Sequence, residues 1–348
     1  MNPYVLTMFL ISLGLGTTLT FASSHWLLAW MGLEINTLAI VPLMAQHHHP
    51  RAVEATTKYF LIQATAAATM LFATTTNAWL TGEWNIISTL DPAPSMLVTT
   101  ALALKVGLAP LHLWLPEVLQ GLDLLTGLIL STWQKLAPFA LLIQISHSLH
   151  PSLLIALGIM SALAGGWGGL NQTQLRKILA YSSIAHLGWM VIIIQFMPQL
   201  TILALSVYII ITSTVFLTFK FVAATKINTL SLSWSKGPTI IISTTLAMLS
   251  LGGLPPLTGF MPKWLILQEL AKQDLPLTAT IMALSALISL YFYLRLCYAM
   301  TLTTSPNTNN SFMPWRLLNN QLSLPLAILT SMTILLLPTT PALISLLF

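Results

Sequence analysis

Charge is the scarcest thing in this sequence. Of 348 residues, 13 are basic and 8 acidic, so 6% carry a formal charge, against about a quarter in an ordinary soluble domain. Cysteine is nearly absent. The single Cys297 excludes an internal disulfide and any cysteine-ligated cluster. No glycine-rich turn follows a strand-like run, and no linker is long or polar enough to hold a second domain, so nothing is shaped to bind a nicotinamide or flavin. There is no basic tail. The formal charge of +5 is scattered over loops and span ends, which gives no reason to expect nucleic acid. The opening Met1-Asn-Pro-Tyr-Val-Leu6 has no basic n-region and no cleavage site, so no removable signal peptide is expected.

What is present is apolar. Hydrophobic residues make up 56% of the chain, and mean hydropathy is +0.83. The sequence predicts an all-α polytopic membrane protein, one transmembrane domain over 1–348, with about eleven spans of roughly twenty residues each. They read as Pro3–Ala22, His25–Met44, Thr57–Leu80, Ser95–Leu115, Leu124–His147, Pro151–Leu170, Leu175–Phe196, Leu200–Val222, Thr239–Leu270, Leu275–Met300 and Leu322–Leu347. Loops and flanks after even-numbered spans hold Arg51, Lys58, Arg176, Lys177, Lys220, Lys226, Lys236, Arg295 and Arg316. Those after odd-numbered spans hold Glu83, Asp91, Glu269 and Asp274, with Lys272 as their one basic residue. Basic loops mark the inner side, so the N-terminus is expected on the positive, cytoplasm-like or matrix side and Phe348 on the other. Gly158, Ala162, Gly165, Gly166, Gly168 and Gly169 give the sixth span a close-packing face. Trp26, Trp84 and Trp234 read as interfacial anchors.

Only Glu34, Lys105, Lys135 and Lys263 lie well inside predicted spans. A lysine at membrane depth is costly, so it usually faces a polar interior on an ion or proton path. Burial disfavours the charged form, which lets such a lysine change protonation, while a nearby carboxylate restores the charge. A Glu34–Lys105 pair could therefore switch a proton, or it could simply lock two helices. Three lysines against one carboxylate favour the switch, because they cannot all be neutralised in pairs. His186 sits mid-span and His112 beside a proline, both placed to relay a proton, although a hydrogen-bonded interior histidine is the plainer alternative. His47, His48 and His49 form a loop run better read as solvated than as a metal site. His147 and His150, at a loop, receive no role.

Two spans are predicted to break. Pro110 lacks an N–H and clashes with the preceding turn, and non-helical backbone survives at membrane depth only where protein or a wet cavity satisfies it. Gly107-Leu-Ala-Pro-Leu111 resembles Gly253-Leu-Pro-Pro-Leu257, five spans later. An odd offset places the two repeats inverted in the membrane, as in transporters whose sites lie near the midplane. A cytochrome-like haem pair would need two mid-span histidines on facing helices, and no span has two. A stand-alone cation/proton antiporter and a purely structural membrane subunit both remain open.

Four segments together resemble a known family: Lys105 to Glu117, Gly32-Leu-Glu34-Ile-Asn36, Lys177 to Gly188 around Tyr181 and His186, and Gly252 to Phe260. They resemble the antiporter-like subunits of respiratory complex I, and the likeness runs over nearly the whole chain. The resemblance implies a multi-pass chain in the membrane arm, in the mitochondrial inner membrane. Its partners would be other membrane-arm subunits, including sister antiporter-like chains, together with membrane lipid. FMN, iron–sulfur clusters and ubiquinone would belong to other subunits, with no cofactor here. The arm would couple electron transfer from NADH to ubiquinone to proton pumping. Carried over by position, Glu34 and Lys105 would be the charge pair of the first half-channel, Lys135 the bridging lysine, His186 its continuation, Lys263 the exit-side lysine, and His112 a weaker member. By this resemblance the chain would be without three N-terminal helices of the fuller bacterial pattern, as the animal form is.

Overall fold

Proline opens helices in this chain more often than it breaks them. Pro3, Pro50, Pro92 and Pro276 stand in the first turn of their helices, where the missing N–H would have no partner anyway. Just upstream of Pro3 and Pro50, Asn2 and His49 each accept a backbone N–H two residues on, capping those starts, and His25 does the same for the helix that begins at Trp26. The computed structural model describes residues 2–88, 90–235, 238–302 and 323–347. Its helices run in order: α1 Pro3–Ala22, α2 Trp26–Met44, α3 Pro50–Thr81, α4 Pro92–Val106, α5 Trp114–Gly121, α6 Leu124–Ser131, α7 Trp133–Gln144 and α8 Pro151–Gly169. Then come α9 Leu175–Ile193, α10 Pro198–Val222, α11 Ile227–Ser231, α12 Pro238–Gly252, α13 Phe260–Lys272, α14 Pro276–Thr301, α15 Ser323–Leu335 and α16 Thr340–Leu347. No strand occurs among the described residues.

Each expected span falls on a helix or an interrupted helix. α1, α2, α6 with α7, α8, α10 and α14 are long and apolar enough to cross a membrane by themselves, and α15 with α16 forms a seventh candidate bent by 65°. The others are helical for readable reasons. α3 is 32 residues long, and its threonines and its three charges, Arg51, Glu54 and Lys58, dilute its hydropathy. α9 begins Leu175-Arg-Lys177. The remaining two are the predicted broken spans, α4–α5 and α12–α13. Hydroxyls are satisfied inside the helices. Thr17, Thr20 and Thr214 donate to carbonyls three residues back at 2.8, 2.7 and 2.6 Å, the local bond open to Ser and Thr in a helix. That is how so many threonines fit where no water can bond them.

The chain divides into two compact units, Met1–Ser161 with Val191–Pro198, and Ala162–Met190 with Gln199–Phe348. In the first, α1 packs on α2 through paired glycines: a Cβ on Gly16 or Gly32 would stand 2.9 Å from the other's carbonyl oxygen. Close approach through small residues replaces the hydrophobic drive that lipid removes. α3 packs on α2, α4 and α5, and α7 on α1, α2 and α4. The loops before α2 and before α4 pair at His25 and Asn85, and the His25 ring stacks on Trp84 at 5.6 Å. In the second unit α12 packs on α14 and α15, and α13 on α14. The glycine face of the sixth span is used as expected: a Cβ at Gly165 would lie 2.6 Å from the Ala185 nitrogen, and Gly169 lies under Phe292. Here Gln174 pairs with Lys226.

Three details differ from the sequence reading. Trp26, expected at an interface, is 1% exposed inside the bundle. Arg295, taken for a loop flank, reaches into the fold and bonds the carbonyls of Leu170 and Gln172 beyond α8. Glu269, taken for a loop acid, is 8% exposed on α13, held by the Gln273 amide at 3.2 Å and Lys272 at 3.4 Å. Lys236 and Arg316 lie outside the described residues.

Candidate functional site

The first break begins at Gly107, whose φ of +87° suits only a residue without a Cβ. Its N–H and that of Leu108 both close on the Ala103 carbonyl at 2.9 Å, the glycine-terminated turn that ends many helices. The remaining orphan carbonyls find side chains. The Trp114 indole donates to Leu104 at 3.2 Å, and the Gln63 amide to Lys105 at 3.4 Å. The Ala109–Pro110 peptide is cis, and the His112 ring bonds back to the Pro110 carbonyl.

Lys105, in the last turn of α4, is 6% exposed, and its Nζ has no hydrogen-bond partner in the protein. It faces a cavity of about 20 Å³ lined by Asn36 and Thr37 of α2, Tyr59 and Gln63 of α3, and Gln134 and Lys135 of α7. Lys135, 4% exposed, therefore shares a cavity with Lys105. Glu34 is half-buried on α2. Its carboxylate accepts the Thr37 hydroxyl at 3.2 Å, and it is near enough for its charge to act on Lys105 and Tyr59. No direct ion pair joins Glu34 to Lys105 among the described residues.

Lys135 follows an interruption that the sequence reading did not anticipate. Thr132, between α6 and α7, leaves the regular helix (φ −113°, ψ −67°), and Pro138 stands inside α7. Pro138 offers no N–H to the turn before it. Each of the three in-span lysines thus sits beside a place where helical backbone is disturbed.

The second break repeats the first. α12, like α4, is 15 residues long and ends at a glycine, Gly253, with φ +82°. The N–H groups of Gly253 and Leu254 close on the Leu249 carbonyl at 3.1 and 3.4 Å. The non-helical segments, Gly107 to Leu113 and Gly253 to Gly259, are equal in length. The caps differ. Here Lys263 itself reaches back and donates to the carbonyls of Leu251 at 3.3 Å and Gly252 at 2.9 Å, where a cation also favours the negative end of the helix dipole. A Cβ on Gly253 would press within 3.0 Å of Lys263 Nζ. Lys263 and His186 line one cavity of about 20 Å³ with Trp189, Tyr208 and Ile266. The His186 ring lies 5.7 Å from that of Tyr208.

The predicted residues therefore gather at two places. Lys105 and Lys135 share a cavity in the first unit, with Glu34 at its edge. His186 and Lys263 share one in the second. His112 lines neither. Sequence reasoning missed Asn36, Tyr59, Gln63, Gln134 and Tyr208. Their signal was only polarity at helix positions facing the lysines. No group of three or more potential metal ligands occurs among the described residues, and His49 caps α3. At the other end of that cap, Lys58 pairs with Glu54 at 2.8 Å and Glu117 at 2.9 Å, tying α3 to α5. That bond and charge hold the Glu54 carboxyl below its usual range.

The family described as "NADH:quinone oxidoreductase/Mrp antiporter, TM" matches residues 23–289, and that described as "NADH dehydrogenase subunit 2 C-terminus" matches 290–344. NADH-ubiquinone oxidoreductase chain 2 of Carassius auratus is 72% identical over 346 residues, covering 99% of both chains. The chain belongs to the NADH-ubiquinone oxidoreductase chain 2 family. It is an antiporter-like membrane subunit of respiratory complex I. A chain of respiratory complex I from Thermus thermophilus superposes with a TM-score of 0.84 at 26% identity, covering 98% of this chain and 80% of that one. A chain of an archaeal membrane-bound sulfane sulfur reductase gives 0.86 at 19% identity, covering 98% and 74%, which is a likeness of fold. Complex I subunits of this family associate with other membrane-arm chains, and this one does so as a polytopic membrane protein.

Proposed function

We propose that this chain, as a single antiporter-like domain in the mitochondrial inner membrane, couples quinone reduction elsewhere in complex I to proton movement through Glu34, Lys105, Lys135, His186 and Lys263, with His112 a lesser member. The enzyme is the proton-translocating NADH:ubiquinone reductase. This subunit contributes no redox centre, and FMN, iron–sulfur clusters and ubiquinone lie in its partners. The N-terminus lies on the matrix side and the C-terminus on the intermembrane-space side.

One observation carries the reading: two water-sized cavities, each beside a glycine-ended helix break, and each lined by a lysine plus a second group able to carry a proton. Lys105 has no protein hydrogen-bond partner at Nζ, so no fixed bond holds its proton, and the nearby Glu34 charge acts on it. Movement of Glu34 toward Lys105 favours the ammonium; movement away releases its proton. Lys135, across the same cavity, can take that proton. In the second unit His186 and Lys263 share one cavity in the same way, with Lys263 steadied by helix carbonyls.

One feature gives one residue a second role: Lys263 caps α12, so its removal also acts through the fold, and the relay is better tested at Lys105. Two measurements test the proposal. On a native gel the chain should co-migrate with NADH dehydrogenase activity; migration apart from it would favour a free-standing antiporter. In assembled complex, Lys105→Ala should slow pumping-linked NADH oxidation and lower the proton-to-electron ratio, and a native ratio in that variant would refute the relay.

A further inference from the structure

The cavity between Lys105 and Lys135 holds polar atoms that the lysines do not use. Asn36 is 2% exposed, and neither atom of its amide has a hydrogen-bond partner in the protein. Gln134 Nε2 is buried and unpartnered too, as is Lys105 Nζ. All three residues line the same cavity. The amide of Asn36 is not loosely placed: α1 makes room for it at Gly16, where a Cβ would stand 2.8 Å from its Oδ1. Buried polar atoms are paired in the great majority of cases, and a site that is polar and roomy enough is where water pairs them. An amide offers one acceptor and two donors without titrating. It can orient water but cannot hold a proton itself.

We propose that Asn36 and Gln134 anchor a small water cluster in this cavity, and that this cluster carries the proton between Lys105 and Lys135. Asn36 is then a positioning residue. In the step, an N–H bond of the Lys105 ammonium breaks and its proton joins a water oxygen. That water, or one bonded to it, passes a different proton to the Lys135 amine. Lys105 ends neutral and Lys135 charged. The waters return to neutral, and the Asn36 oxygen and nitrogen keep their atoms throughout.

The inference rests on the relay proposed above, so the test runs Lys105→Ala alongside. Asn36→Leu and Gln134→Leu, of similar size and without polar atoms, are placed in the assembled complex and reconstituted into liposomes. Each should assemble and melt near the native temperature, because a side chain of similar size replaces an amide whose partners are cavity waters and not protein groups. Pumping-linked NADH oxidation should slow by about tenfold, less than the hundredfold or so lost with a group that itself transfers the proton, and its dependence on D2O should change. Asn36→Ser, whose hydroxyl can still donate and accept, should recover most of the rate. If both leucine variants oxidise and pump at the native rate with the native D2O effect while Lys105→Ala does not, the amides are packing and this inference is overturned with the relay intact. If Lys105→Ala also pumps natively, the relay itself has failed. Should Asn36→Leu not assemble, Gln134→Leu and Asn36→Ser decide the matter by the same readouts.

Discussion

Lys105, Lys135 and Lys263 differ in what holds them, and the difference predicts how each fails. Lys105 Nζ has no protein hydrogen bond to lose, so Lys105→Ala should leave thermal stability almost unchanged while coupling falls. Lys263 donates to two helix-end carbonyls. Its loss should cost about 1–3 kcal/mol through those carbonyls, seen as a lower melting temperature beside the coupling defect. Glu34→Gln keeps the size and the Thr37 bond but removes the charge. It should alter the proton-to-electron ratio more than assembly, whereas poor assembly with normal coupling would point to a mere lock between α2 and α4. At the membrane edge, Glu54 contributes through its lowered carboxyl. Its stabilisation is present above the ordinary carboxylate range and disappears as pH falls through the lowered value. Pumping between pH 6 and 8 should therefore be indifferent to Lys58→Ala. In-span charges were readable because charge is rare in such spans. Asn36, Tyr59, Gln63 and Gln134 were not, because an amide or phenol in an apolar run gives no sign of which cavity it will face.

At the scale of elements, the glycine-ended breaks are the repeated device. Gly253→Ala puts a side chain into left-handed backbone, which costs about 1–2 kcal/mol, and presses it on Lys263 Nζ. Gly107→Ala carries the same backbone cost at φ +87°, but the nearest atoms are those of Leu115 and Trp114. Both should lower the melting temperature of the complex by similar amounts. Gly253→Ala alone should also mimic Lys263→Ala in the proton-to-electron ratio, and equal coupling defects in the two would count against the contact. Both breaks were legible, since Pro110 and Pro255-Pro256 announce them. The interruption at Thr132 was not. Ser131 and Thr132 are ordinary helix residues in lipid, and the nearby proline, Pro138, lies downstream inside α7. Conversely α3 outruns its predicted span because its polar first turns stay helical beyond the apolar stretch.

Across the whole molecule, hydropathy and loop charge gave the order of spans, while the division into units depends on contacts far apart in sequence. Val191–Pro198 joins the first unit although the rest of α9 belongs to the second, which no periodicity encodes. The proposed orientation is checked by tagging the N-terminus and digesting mitoplasts: the tag should survive protease added from the intermembrane-space side. Cleavage there would reverse the topology.

The Lys263 cap resolves an imbalance of charge. A half-helix that stops inside the bilayer presents bare carbonyl oxygens, and here they cradle an ammonium as an acid otherwise would. The backbone serves as a counter-ion that cannot be protonated, mutated away or drawn off to another partner. A bundle so built can carry a buried cation without a dedicated carboxylate.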